Sequence, residues 1–300
     1  MESQIRDLGR AFAVTAIVLV VQLAGFQLSN SLALLGDSAH VFSDILAIGA
    51  SLFAMLLASR AATSRRTFGF HRLEVFAALF NGMLLIIMSV FIAFEAFQRF
   101  GTAYTINGLP MLVTSLVGLA GNLYVAYHLQ HEENLNVRSA FIHAAGDALS
   151  SLGVIAGALI IMFTGLYVVD VAVSILIAIL ILFSAYNVLR SSISILLESA
   201  PHGASEDRIR DAVLGIKGVK GAHDIHVWRT CSDMVFAMMH VETDCVRLIE
   251  TRELSERIED CLNHGFGITH ATIQFEPYGC SCGNKGKCDM LAHRKRKHAH

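Results

Sequence analysis

Charge is scarce in this chain of 300 residues: 16% are Asp, Glu, Lys or Arg, against 54% hydrophobic. A soluble domain carries about a quarter charged residues, so the deficit excludes a wholly water-soluble protein. Cysteine is absent from the first 230 residues, which excludes a disulfide-stapled scaffold over that stretch. The net charge of −2 supplies no basic excess for nucleic acid, and the finish HRKRKH reads as a solvated tail. Arg6 and Arg10 precede the first apolar run as they would in a signal peptide, but no small-residue cleavage site follows. That run is expected to be a retained helix.

What is present is a series of apolar runs, each of about 18 residues or more, enough to cross about 30 Å of hydrocarbon as helix. They recur to about residue 197 and then stop. The pattern predicts six spans at 12–28, 31–59, 72–97, 109–129, 136–163 and 167–196. Residues 1–200 thus read as an all-α membrane bundle, 201–279 as a soluble domain and 280–300 as a tail rich in Cys, His and Lys. Arg6, Arg10, Arg60, Arg65, Arg66, Arg72 and Arg138 fall on one side of the bundle, whereas the turns near Asn30 and Gly165 lack Lys and Arg; only Arg99 runs against the trend. Both termini are therefore expected to be cytoplasmic, in a multi-pass protein of the plasma (inner) membrane or an internal one. All six cysteines follow the last span, where they are expected to be reduced thiols.

Against this apolar background, the segment GDSAHVFSDILAIGASL holds Asp37, His40 and Asp44. Positions i and i+4 share a helix face, so His40 and Asp44 point the same way about 6 Å apart along the axis, with Asp37 one turn earlier. Span five repeats the His-x-x-x-Asp spacing at His143 and Asp147. Counted from the Asn30 turn, His40 lies about 15 Å deep, and His143 about 10–14 Å from the opposite face. Two antiparallel helices would bring both pairs to similar depth, as in an inverted repeat with its site at the repeat interface. A charge at the bilayer centre costs roughly 2.5–3.5 kcal/mol on insertion scales, so four such groups need a partner. Two imidazoles and two carboxylates make a tetrahedral N/O set suited to Zn²⁺, with Co²⁺, Cd²⁺ or Ni²⁺ as near alternatives. Asp37 would line an exit path or cap its helix. Gly49, Ala50, Gly146, Gly153 and Gly157 lie within or after the two pairs and are expected to let helices pack closely.

From about residue 204 the pattern changes to a helix at 206–214, strands at 222–230 and 233–242, a helix at 247–263 and a strand at 271–276. This αββαβ order predicts a small α+β domain. His223, Asp224, His226 and His240 cluster on its adjacent strands. Cys280, Cys282 and Cys288 in CSCGNKGKCDM have a spacing loosely like a thiolate metal clip.

The two His-x-x-x-Asp pairs, with TFGFHRLEVFAALFNG opening span three and GVKGAHDIHVWRT in the soluble part, resemble the cation diffusion facilitator family of divalent-metal transporters. The resemblance covers nearly the whole chain. It implies a six-helix membrane domain with a cytoplasmic ferredoxin-like domain, a homodimer, and exchange of metal for protons. The family's zinc branch places the transport site at the positions held here by His40, Asp44, His143 and Asp147. The resemblance also implies a charge lock between Arg72 and Glu198 at the membrane junction, a metal-binding role for the neighbouring His71, and regulatory metal at His223 and His240, with Glu276 where the family has Asp and Gln274 where some members have His. Phe70 stands where some members carry a loop histidine. Two other functions fit a buried zinc site: an intramembrane zinc-dependent hydrolase and a membrane-anchored metal sensor. Four protein ligands leave no open position for a catalytic water, and no His-Glu-x-x-His motif is present.

Overall fold

In hydrocarbon a lone segment satisfies its backbone N–H and C=O groups only as a helix, and each long apolar run adopts one. The computed structural model describes residues 2–58, 64–101, 104–129, 135–245 and 247–279. The six long helices are α1 (Glu2–Ser29), α2 (Leu32–Ala58), α3 (Arg72–Arg99), α4 (Gly108–Leu129), α5 (Leu135–Thr164) and α6 (Val168–Leu196). All six contain a stretch long and apolar enough to cross a membrane. Two of the turns between them reverse through a left-handed residue, Asn30 (φ 58°) and Gly165 (φ 69°). Contacts divide the chain into two compact units, Met1–Ser192 and Ile193–His300.

The first unit is apolar outside and buries polar side chains among apolar ones within. Phe91, Phe94 and Phe97 on α3 and Ile179 and Phe183 on α6 are exposed, as suits side chains that meet lipid. Gln22, Asp37, Ser38, Ser43, Asn81, Ser151, Asp170 and Ser174 are buried. Lipid gives no hydrophobic drive for helix association, so packing and polar contacts must hold the bundle. Packing is closest at glycines other than those the sequence pointed to. A Cβ on Gly25 would lie 2.3 Å from Thr114 Oγ1, on Gly121 2.4 Å from Val18 Cγ2, and on Gly36 2.9 Å from Ile177 Cγ2. By contrast, among the described residues Gly146 and Gly153 have nothing within 4 Å of that position, and Gly49 and Gly157 have only ordinary contacts.

The second unit adds α7 (Glu206–Leu214), β1 (Val219–Arg229), β2 (Val235–Thr243), α8 (Leu248–Phe266) and β3 (His270–Pro277). The sheet order is β1-β2-β3, with β1 antiparallel and β3 parallel to β2. This is the αββαβ order expected of the α+β domain. Strand β1 starts three residues earlier than 222: beyond a register shift between Val219 and Gly221 the ladder continues back to Val219, directly after the left-handed Gly218. Leu254, Ile258 and Leu262 recur at helical spacing on α8 and pack with Ile209 and Val213 of α7 on the sheet face made by Ala237, Met239 and Val241. The alternate residues of β2, including His240 and Glu242, lie on the other face. Helix α8 stops at Gly267, whose left-handed backbone donates to Asn263 O while Ile268 N reaches Leu262 O.

Candidate metal centre

Helices α2 and α5 bring His40 and Asp147 into contact, with His40 Nε2 2.6 Å from Asp147 Oδ1. Asp44, one turn further along α2, completes a group whose donor atoms all lie within 4.8 Å of one another. Ligands at about 2.0–2.2 Å in a tetrahedral set stand about 3.4 Å apart, so the His40–Asp147 contact would open and Asp44 would draw in for these three to share a divalent cation. His143 sits on α5 one turn before Asp147, but its side chain lies outside the described residues. His40 is eight residues from the start of α2 at Leu32, about 12 Å along the axis. One imidazole and two carboxylates form a borderline donor set without sulfur, suited to zinc and its neighbours.

Asp37 is not part of this group. It accepts hydrogen bonds from Gln22 Nε2 of α1 at 2.6 Å and from Ser150 Oγ and Ser151 Oγ of α5 at 2.9 and 3.3 Å. The sequence marked Asp37 by its charge alone; Gln22, Ser150 and Ser151 carried no signal among many polar residues. Asp170 was also missed. Its carboxylate reaches from the first turn of α6 to the start of α2, accepting from Ser31 Oγ at 2.5 Å, Leu32 N at 2.9 Å and Ala33 N at 3.3 Å. Asn81 of α3 donates to Ser43 Oγ at 2.9 Å, beside Asp44.

In the second unit, His223, His240 and Glu276 form another group with donor atoms within 4.8 Å. The register pairs His223 with His240 and His240 with Gln274 across the three strands. His240 Nδ1 lies 2.8 Å from Glu276 Oε1, and His223 Nε2 3.5 Å from Glu276 Oε2. A bulge in β1 puts Asp224 at a left-handed φ of 51° and turns its carboxylate between His226, at 3.1 Å, and His240, at 3.8 Å. Glu242, which the sequence did not single out, stands 3.8 Å from His223 Nδ1. His71 precedes α3 and makes no side-chain cap to it. It belongs to neither metal-ligating group among the described residues. Beside it, Arg66 lies over the Phe70 ring at 4.3 Å. Arg72 opens α3, and Glu198 follows α6 with a left-handed φ of 55°. Cys280, Cys282 and Cys288 lie outside the described residues.

A six-helix bundle with a ligand cluster at its centre and an αββαβ domain after it is the build of a membrane metal transporter, and comparison with known proteins agrees. The cation efflux transmembrane domain matches residues 8–197, and the cation efflux protein cytoplasmic domain matches residues 201–278. The chain belongs to the cation efflux family, the cation diffusion facilitators, and is a transporter and not an enzyme. It is 36% identical over 292 residues to a cadmium, cobalt and zinc/H(+)-K(+) antiporter of Bacillus subtilis, covering 96% of this chain and 93% of the relative. It is 37% identical over 277 residues to the metal cation efflux system protein CzcD of Cupriavidus metallidurans, covering 92% and 87%. It is also 36% identical over 283 residues to the zinc transporter ZitB of Escherichia coli, covering 93% and 90%.

Proposed function

We propose that the protein exports Zn²⁺, and with it Cd²⁺ or Co²⁺, from the cytosol in exchange for protons, by alternating access around His40, Asp44, His143 and Asp147. The observation that carries this reading is the meeting of His40, Asp44 and Asp147 on two helices inside the membrane domain. Zinc, cadmium, cobalt and proton are all in the printed name of the Bacillus relative. The chemistry fits exchange. Metal needs a neutral imidazole and ionised carboxylates, so protons compete for the same atoms. The 2.6 Å contact of His40 with Asp147 is what a proton shared between the two would stabilise once metal has left. Metal arriving displaces that proton, and protons returning from the other side displace the metal.

In this reading both termini face the cytoplasm and the chain works as a homodimer, supported by its match to the family's cytoplasmic domain. Arg72 and Glu198 lock the dimer at the membrane junction. His71 could bind metal there, and the thiols Cys280, Cys282 and Cys288 capture incoming zinc. His223, His240 and Glu276, with Glu242 and Asp224 beside them, form a regulatory zinc site. The test is pH-gradient-driven ⁶⁵Zn²⁺ uptake by proteoliposomes, comparing the natural chain with Asp147→Ala. Uptake is expected to fall by about a hundredfold or more, since even partners behind the ligands are worth about 10–100-fold in metal affinity. Equal uptake by both ends the assignment.

A further inference from the structure

One turn from the metal-ligating group, toward the Asn30 turn, lies a layer of polar side chains that the ligand set does not use. Gln22 of α1, Asp37 of α2 and Ser150 and Ser151 of α5 meet there through three hydrogen bonds to one carboxylate. Helix α4 closes the back of the layer: a Cβ on Gly118 would lie 2.5 Å from Gln22 Nε2, so a larger residue there would push the amide out of its place against Asp37. Burial deepens across this step. Gln22 and Ser151 are 0% exposed and Asp37 and Ser38 1%, against 7% for Asp147; Ser150 in the layer and His40 beyond it are half-buried. From Ser31 to Ala39 every residue of the segment is buried except Leu35, and from His40 onward exposure returns along α2.

We propose that Gln22, Asp37, Ser150 and Ser151 form the seal on the Asn30 side of the metal site, with Asp37 the positioning residue that holds α1, α2 and α5 together there. The inference rests on the transport reading above, because a seal has a purpose only if the site is reached from two sides in turn. The seal is made of hydrogen bonds and not of packed apolar surface, so it opens by exchanging a few polar contacts for water. Asp37 is its centre because it alone bonds to two other helices. Among the described residues Gln22 Oε1 is buried without a hydrogen-bond partner, so turning the amide over breaks no bond to that oxygen.

That spare atom separates a seal from a charge-carrying role. In Asp37→Asn the carboxamide oxygen, at the Oδ1 position, keeps accepting from Ser150 Oγ, and the NH2, at the Oδ2 position, donates to Gln22 Oε1 once the Gln22 amide has turned and to the Ser151 hydroxyl, which now accepts. The layer stays shut although the charge is gone. In Asp37→Ala all three bonds are lost. Access is read in full-length protein freed of its six cysteines and carrying Ser38→Cys, a position in the layer, reconstituted into vesicles. A membrane-impermeant maleimide is applied to each face in turn, and Thr105→Cys, in the loop whose Asn107 N bonds to Ser29 O, identifies the Asn30 face. Asp37→Ala is expected to speed labelling from that face about tenfold or more, since each lost hydrogen bond shifts the balance severalfold. Asp37→Asn is expected to stay within about threefold of the parent. Labelling of Asp37→Ala at the parent's rate overturns the proposal, and so does labelling of Asp37→Asn as fast as that of Asp37→Ala. Should Asp37→Ala not fold, Ser151→Ala and Gly118→Ala carry the same expectation of faster labelling, and parental rates in both overturn it. Zinc uptake by the parent vesicles checks the transport reading separately: no uptake with the labelling pattern as expected would end that reading and leave the seal standing.

Discussion

Replacing Asp170 by alanine tests whether α2 is anchored from another helix. The first N–H groups of a helix have no partner within it. At the start of α2 two of them, Leu32 N and Ala33 N, donate instead to the Asp170 carboxylate, which also accepts from Ser31 Oγ. Asp170 is 0% exposed, so water does not replace the lost acceptor without a rearrangement. An ordinary exposed cap is worth about 0.5–2 kcal/mol. Two buried N–H groups and a hydroxyl left without their acceptor cost about 1–3 kcal/mol each, offset by no longer burying a carboxylate. The expected net loss is about 3–5 kcal/mol, of the size seen when one member of a buried charged pair is removed. Asp170→Asn keeps one acceptor oxygen but turns a donor toward a donor, and is expected to fall between alanine and the natural residue. The assay is thermal unfolding of the purified protein in detergent, followed by far-UV circular dichroism. At about 2–4 °C per kcal/mol for a unit of this size, the midpoint should drop by roughly 6–20 °C. A drop of less than about 2 °C, or Asp170→Asn falling lower than Asp170→Ala, would refute the clamp.

Four further outcomes follow from the same structure. Zinc binding by the full chain is expected to weaken as pH falls, because protons compete for the His40 imidazole and the Asp44 and Asp147 carboxylates; isothermal titration at several pH values checks it, and affinity that is flat or rises toward acid speaks against these ligands. His240 touches both Glu276 and Asp224, so His240→Ala is expected to abolish the part of zinc-induced thermal stabilisation that comes from the second unit, a gain of about 2.7 kcal/mol at a hundredfold excess over Kd. Measured in an Asp147→Ala background, an unchanged zinc-induced rise would remove that site. Gly25→Ala, whose Cβ would meet Thr114 Oγ1 at 2.3 Å, is expected to destabilise the bundle by about 1–3 kcal/mol through overpacking of α1 on α4. Gly153→Ala, with open space around it, should leave the unfolding midpoint unchanged or slightly higher.

The long helices were legible because length and apolar composition alone make a membrane span, and observed boundaries differ from those read off the sequence by a few residues in five of the six. Helix α1 differs most, beginning at Glu2 and not at residue 12, since its polar first ten residues carry no hydropathy signal although they are helical. In the soluble domain α7 runs over the 206–214 read from its periodicity, and β1 extends past its expected start through a bulge that no period-2 pattern encodes. His40, Asp44 and Asp147 stood out because an ionisable residue amid apolar ones is rare, and a helical spacing of four set them on one face. Asp170 was just as rare and just as buried, yet it read as the first turn of a span, where an acidic residue is unremarkable. What distinguishes it is the partner it meets 138 positions away in the chain, and a single sequence does not hold that information. The glycines failed for a related reason. Every glycine looks alike in sequence, and only rotation about the helix axis decides whether it faces a neighbour, as Gly118 does, or open space, as Gly153 does.

Helix α2 gathers polar contacts from nearly every direction. Among the described residues it meets Asp170 of α6 at its first turn, Gln22 of α1 and Ser150 and Ser151 of α5 at Asp37, Asp147 of α5 at His40, and Asn81 of α3 at Ser43. These contacts fall at successive levels about one helical turn apart. Since apolar helix faces gain little from each other in lipid, such polar layers are where two arrangements of the bundle can differ by a discrete exchange of partners. A rigid slide of α2 would break all of them together. Release of the Asp37 layer removes the hydrogen bonds of α2 to Gln22 of α1 and to Ser150 and Ser151 of α5, while the Asp170 clamp still holds its end to α6. The clamp at Leu32 and the layer at Asp37 are five residues apart along α2, so in the transport reading proposed above a tilt about the α2 start is the motion that would part the layer and keep the clamp.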